Sequence, residues 1–363
     1  MLRDLTTLER VRGCGRPLGH GYVTVKTIEY PDGSRSAGLG GLSTCGSVWA
    51  CPCCSATIAA RRQREVEQLL VRHTATGSSA ALLTMTMRHH ERQRLDALWD
   101  ALSLAWSAAT SGKRWKAERG GFGVTGYVRT VEVTHGEHGW HVHVHVLLLG
   151  DGMGDPLART QLAAAMFARW RRALVRGGLD APIAEKGGLD VRAVEAGTEG
   201  ALADYLSKGV RAEVPDVIPD RRQARRAAVE VTRADLKTAR RGNRTPWEIL
   251  ADVLTTGDAD DLDLWREYEQ ASHGRRMQTW SRGLRGTYGL GAEDSDEDVA
   301  AEDRGGETIA RLTAETYRAG TRTTPVFAAL LLEAAETGGR EGIDALLHTY
   351  GLPPSLPPPR QSH

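Results

Sequence analysis

Residues 123–150 read GVTGYVRTVEVTHGEHGWHVHVHVLLLG. Val, Thr and Tyr are dense here, and the turn-forming residues at His135 to Gly139 divide the stretch, so it is predicted to fold as a β-hairpin. Side chains on a strand alternate between faces. His141, His143 and His145 therefore share one face, and Val142, Val144 and Val146 share the other. The valine face is suited to a core. With the turn centred near Glu137, Glu132 on the first strand falls opposite His143. Imidazoles two residues apart on a strand, joined by a carboxylate, form a ligand set for a divalent cation. Mg²⁺ or Mn²⁺ acting as a Lewis acid suits this set, and Zn²⁺ is compatible with the same ligand types. The plainer reading, a polar face with surface histidines, does not account for three consecutive same-face imidazoles beside a glutamate.

Other elements follow from periodicity. A helix is predicted at 55–72, a strand at 79–89 (SAALLTMTMRH), and a helix at 92–109 with Leu95, Leu98, Trp99, Leu102 and Trp106 at helical spacing. A further helix spans 160–175, and a strand is predicted at 189–197. A short helix at 198–209 (TEGALADYLSKG) starts on Thr198 and stops at Gly209. Thr245, Pro246 and Glu248 open another helix with a capping box, and 261–274 is helical.

Four of the five cysteines lie within the ten residues 45–54 (CGSVWACPCC), and Cys14 is the fifth. With no apolar leader at the amino terminus the chain is expected to be cytoplasmic, and in a reducing compartment such a cluster is read as metal-binding. Cys51 and Cys54 form a C-x-x-C knuckle. Cys45 and Cys14 complete a four-thiolate set for structural Zn²⁺, leaving Cys53 outside it.

The 363 residues contain 40% hydrophobic and 26% charged side chains and no run long enough to cross a bilayer, so no membrane partner is expected. A net charge of +1 hides segregation. Residues 221–244 are basic (Arg221, Arg222, Arg225, Arg226, Arg233, Lys237, Arg240, Arg241, Arg244), suited to tracking a DNA backbone, whereas 292–303 are acidic.

The order of three elements carries a resemblance: the Thr-rich strand LLTMTMRH, the histidine strand with Glu132 before it, and YLSK with Tyr205 and Lys208 on one helix face. It resembles the HUH endonucleases, specifically the single-tyrosine rolling-circle replication initiators (Rep proteins) of bacterial plasmids, over about residues 40–285. The resemblance implies that Tyr205 attacks a phosphodiester, forms a 5′-phosphotyrosine and releases a 3′-hydroxyl primer, with Lys208 assisting and the metal held by His143 and His145. His141 is a third ligand or a neighbour. It also implies single- and double-stranded origin DNA as partners, with a host helicase and polymerase. Some such initiators carry a Glu one helical turn before the tyrosine; here Ala201 stands there, and Glu199 and Asp204 are the nearest acids. Relaxases usually place the tyrosine before the histidine motif, and single-tyrosine transposases are shorter. A non-catalytic zinc-dependent DNA-binding regulator leaves the histidine face unexplained, and a metal oxidoreductase leaves the tyrosine helix unexplained.

The expected fold is α+β, a central antiparallel sheet with the histidine strand in its middle. The expected organisation is a Cys-rich zinc module (1–75), a catalytic domain (76–215), a basic helical DNA-binding extension (216–290), an acidic linker (291–305), a small helical segment (306–350) and a disordered Pro-rich tail (351–363).

Overall fold

The computed structural model describes residues 2–19, 21–29, 35–194, 242–302, 305–324 and 327–358. Eight strands are described: β1 (Tyr22–Glu29), β2 (Arg35–Gly40), β3 (Ala80–Thr86), β4 (Val124–Gly136), β5 (Gly139–Gly150), β6 (Leu189–Ala193), β7 (Gln278–Trp280) and β8 (Glu307–Thr313). They form a five-stranded antiparallel sheet of order β6-β3-β5-β4-β7 and a three-stranded sheet of order β2-β1-β8. With the flanking helices this is the expected α+β class, and the histidine strand β5 is central.

The hairpin register places Glu132 opposite His143 and closes through Glu137 and His138 between Gly136 and Gly139. Gly139 has φ +82°, and a Cβ there would lie 2.8 Å from the Glu91 Cα, so both the turn and its close neighbour require glycine. On one sheet face Val131, Val133, Val142, Val144, Val146, Leu83 and Met85 pack with side chains of the Leu95–Ala109 and Pro156–Arg176 helices, among them Leu98, Trp99, Met166 and Trp170. Each such fully buried side chain contributes about 1.5–3 kcal/mol. The other face is divided. Its Leu82, Val128, Leu147 and Leu149 end is covered by Val66, Leu69 and Leu70 of the Pro52–Thr74 helix. The helix stops short of the rest of that face, which carries Thr84, Thr86, Glu132, His141, His143 and His145.

A buried ionic cluster ties the Pro52–Thr74 helix to the segment after β7. Glu65 Oε2 accepts from Arg62 Nη1 at 3.2 Å and from Arg285 Nη1 at 2.9 Å. Burial opposes the Glu65 charge, but these two guanidiniums outweigh it and hold the carboxyl below its ordinary range. Glu65→Ala takes from Arg285 its carboxylate partner and from the buried Arg62 one of several, and is expected to destabilise the fold by about 3 kcal/mol in chemical denaturation.

Several expected boundaries are corrected. Residues 307–313 are a strand, not part of a purely helical segment, and β8 pairs with β1 from the amino-terminal region. Val23, Val25, Ala310, Leu312, Phe327, Leu331 and Ile343 form their shared core. The 1–75 and 306–350 units are thus joined by hydrogen bonds between residues far apart in the chain. Within the expected acidic linker, Asp296–Ala301 is helical, capped by Ser295, and Asp296 meets Arg62 at 2.9 Å. The acidic run is ordered because it answers the arginines of the Pro52–Thr74 helix. The tail expected to be disordered is placed as far as residue 358: Arg311 Nε donates to the Pro357 carbonyl at 2.8 Å, and Ser355 N donates to Asp344 at 2.7 Å.

In the expected basic extension, β7 adds the fifth strand, and Trp247, Trp265 and Tyr268 of the Pro246–Thr256 and Ala259–Ser272 helices enter the same core as the valine face. The capping box at Thr245 and Glu248 forms as the sequence predicts. Arg244, counted among the basic residues, is held by Asp252 at 2.7 Å and by Asp261 at 2.6 Å. It is therefore a structural ion-pair partner. Tyr205, Lys208, Glu199, Ala201, Asp204 and the basic residues 221–241 lie outside the described residues.

Candidate metal centre

β4 and β5 place three donor atoms within contact of one another. The Nε2 atoms of His143 and His145 lie 3.1 and 2.8 Å from Glu132 Oε2, and 3.0 Å from each other. Two metal–ligand bonds of about 2.1 Å at right angles set their donor atoms about 3.0 Å apart. The triangle thus has the size expected of three ligands that would hold one divalent cation.

Neighbouring groups prepare these ligands. Thr84 Oγ1 lies 2.9 Å from His145 Nδ1, so that the Nδ1–H donates to it and the Nε2 lone pair is left for a metal. His143 Nδ1 is buried with no hydrogen-bond partner among the described residues. Burial opposes the charge on Glu132, but hydrogen bonds from His143 and His145 and their electrostatic pull outweigh it, keeping the carboxyl well below its usual range. Burial lowers the pKa of His145 and favours its neutral, metal-ligating form. Thr84→Val removes the orienting acceptor, and its Mn²⁺ affinity measured by calorimetry is expected to fall about 10- to 100-fold.

His141 stands apart from the triangle. Its Nδ1 meets His89 Nε2 at 2.8 Å, and the centroids of the His141 and His143 rings are 5.1 Å apart. Burial, then the charges of His143 and His89, push its pKa down to about 4. Of the sequence-predicted set, the structure brings together Glu132, His143 and His145 and places His141 beside them as a neighbour. The sequence reading missed Thr84 and His89 as supporting residues. Thr84 was legible in principle, because Thr84 and Thr86 alternate onto one face, whereas His89, expected at the end of the 79–89 strand, lies in the loop after β3, which ends at Thr86.

The second cluster is Cys14, Cys45, Cys51 and Cys54. Cys14 follows the Glu9–Gly13 helix, Cys45 lies in the loop after β2, and Cys51 and Cys54 flank the start of the Pro52–Thr74 helix. Sulfur separations of 3.6 Å join Cys14 to Cys54, Cys45 to Cys54 and Cys51 to Cys14. A tetrahedron with bonds of about 2.3 Å has edges of about 3.8 Å, close to these values and far from a disulfide bond. Hydrogen bonds from Cys14, Cys45 and Cys51 draw the Cys54 thiol well below its ordinary pKa, and the positive end of the helix favours the same thiolate. Cys53 is exposed and stands outside the cluster.

Residues 40–152 match the family model described as replication protein, Rep_1, a span that includes Cys45 and the whole hairpin. A protein rep from Streptomyces lividans is 31% identical over 366 aligned residues, covering 83% of this chain and 76% of the relative. The chain belongs to the Rep family of replication proteins. A neomycin resistance protein from Streptomyces cyanogenus is 36% identical to this Rep-family chain over 137 residues, 31% of each. No solved structure matches. The Rep family match encloses both metal-competent clusters except for Cys14. Among the described residues, no helix is long and apolar enough to cross a membrane.

Proposed function

We propose that this Rep chain initiates rolling-circle replication of a plasmid by nicking one strand of its origin. The observation that carries this reading is the convergence of Glu132 Oε2, His143 Nε2 and His145 Nε2 on one face of the central sheet. A regulator that only bound DNA would have no use for that triangle.

These three residues would hold Mg²⁺ or Mn²⁺, which supplies charge neutralisation at the non-bridging oxygens of the scissile phosphate. Tyr205 attacks the phosphorus in line. The new bond joins the tyrosine oxygen to phosphorus, the bond to the 3′ oxygen breaks, and the leaving strand takes up a proton as a free 3′-hydroxyl that primes synthesis. The 5′-phosphotyrosine conserves the phosphodiester energy, so attack by a 3′-hydroxyl at termination rejoins the strand by reversal. Lys208, one helical turn from Tyr205 in sequence, assists loss of the phenol proton or offsets the developing phosphate charge. Ala201 has no acid–base capacity, so reversal does not draw on that position.

The four cysteines are assigned to structural Zn²⁺, whose closed tetrahedron has no open position for chemistry. The catalytic unit is assigned to 76–215, completed by β7, with residues 221–241 tracking the DNA backbone. Host helicase and polymerase would act on the exposed strand and primer.

The test is mass spectrometry of the full chain after incubation with single-stranded origin DNA and Mn²⁺ or Mg²⁺. A nucleotide adduct on the peptide containing Tyr205, absent when the metal is chelated, is the expected result. Cleavage without an adduct, or an adduct on another residue, would refute the reading.

A further inference from the structure

Beyond His141 lies an open surface cleft of about 430 Å³ lined by the half-buried His89 and by the exposed His90, Glu91, Arg92, Glu137 and His138. Its two walls are the loop after β3 and the hairpin tip, and both are fixed. His89 Nδ1 donates to the His138 carbonyl at 2.9 Å, the His90 amide donates to Gln93 Oε1 at 2.9 Å, and Gly139 lets the Glu91 backbone rest against the tip. With Nδ1 donating, His89 Nε2 accepts from His141 Nδ1 at 2.8 Å. The His89 and His141 rings are 5.0 Å apart and the His141 and His143 rings 5.1 Å, so imidazoles lead from the metal triangle to the cleft without a break.

The composition of the cleft selects its ligand. It is not a third metal site, because among the described residues only the two clusters above bring three ligand atoms within reach of one another. It is poorly suited to a phosphate, since Glu91 and Glu137 oppose Arg92. Imidazole faces stack on a planar heteroaromatic ring, and carboxylates accept hydrogen bonds without donating any.

We propose that this cleft receives one base of the single strand, adjoining the phosphate held at Glu132, His143 and His145, and that it selects a base bearing an exocyclic amino group over thymine. An amino group donates to Glu91 or Glu137, whereas thymine presents two carbonyl oxygens to them around a single N–H. Arg92, with its exposed head, lies at the rim where the backbone of that nucleotide would pass. The inference rests on the nicking function proposed above and extends it to sequence choice beside the nick.

The experiment uses the full chain and fluorescein-labelled strands of about 16 nucleotides, a size suited to a single-strand groove. One is all dT, and the others carry one central dA or dC. Fluorescence anisotropy is expected to show about tenfold tighter binding of each substituted strand than of the dT strand, the scale of one stacked and hydrogen-bonded base. Glu137→Ala combined with His138→Ala removes that preference. Glu91→Ala, on the opposite wall, reduces it independently, so damage to the hairpin tip alone does not decide the outcome. Equal binding of all strands by the unaltered chain, or a preference surviving in both variants, overturns the proposal. An adduct on Tyr205 without any base preference removes the pocket and leaves the nicking function; a preference without an adduct does the reverse.

Discussion

Replacing His145 with alanine is expected to reduce nicking of single-stranded origin DNA by at least ~10³-fold at saturating DNA, while DNA affinity at fixed salt changes little. His145 Nε2 sits 2.8 Å from Glu132 Oε2 and 3.0 Å from His143 Nε2, so its loss removes one vertex of the triangle and leaves two ligands for the cation. Lewis-acid stabilisation at a phosphoryl oxygen contributes several kcal/mol, and each 1.4 kcal/mol is a factor of ten in rate. His141→Ala is the contrasting case, because His141 Nδ1 contacts His89 and its ring lies beside the triangle. Its effect is expected to stay within about 10- to 100-fold, as for groups that support a metal site from outside. Single-turnover cleavage across a Mn²⁺ titration separates the two variants. Excess Mn²⁺ should restore His141→Ala and fail to restore His145→Ala. Equal losses in both would show that the triangle does not hold the catalytic ion.

The second large effect is expected from the cysteines. Cys54→Ser should abolish tight zinc binding and unfold the region around the Cys cluster, because Cys54 is in sulfur contact with both Cys14 and Cys45. Binding of a structural zinc ion is worth roughly 10–16 kcal/mol in small zinc modules, as much as the whole stability of an ordinary domain. The cluster joins the Glu9–Gly13 helix and the loop after β2 to the first turn of the Pro52–Thr74 helix, which covers the apolar end of the sheet. Loss of the ion therefore should spread to the sheet. Zinc released per chain, measured with a chromogenic chelator, is expected to be one for the unaltered protein and for Cys53→Ser, and none for Cys54→Ser. Thermal denaturation of Cys54→Ser should begin well below that of Cys53→Ser. Retention of zinc by Cys54→Ser would remove Cys54 from the ligand set.

The candidate site was legible wherever chemistry coincided with a short-range period. A period of two assigns His141, His143 and His145 to one face whatever the rest of the chain does, and a hairpin turn near Glu137 then determines which residue stands opposite His143. Thr245 with Glu248 announced a helix start for the same local reason. What the period could not do was rank the three imidazoles. His141 is set apart by His89, and that contact depends on how the loop after β3 settles on the hairpin tip.

Non-local pairing accounts for the rest. ETIARLT is a seven-residue stretch of mixed polarity, and it becomes strand β8 because β1, from the amino-terminal region, offers it a partner. Gln278–Trp280 is three residues long and is a strand only against β4. The acidic run at 292–303 carries a solvated-linker composition, yet Arg62, buried in the Pro52–Thr74 helix, draws Asp296 into a specific ion pair. By itself, then, the sequence determined the hairpin, its two faces, the metal-capable histidines and the Cys51–Cys54 knuckle, because each follows from geometry repeating every two or four residues, whereas Cys14 and Cys45 join that knuckle only through the tertiary structure. Only the tertiary structure decided that the Pro52–Thr74 helix packs on the leucine end of the histidine face, and that strands from near the two ends of the chain share a sheet. Both depend on contacts between residues far apart in sequence, and no local period encodes them.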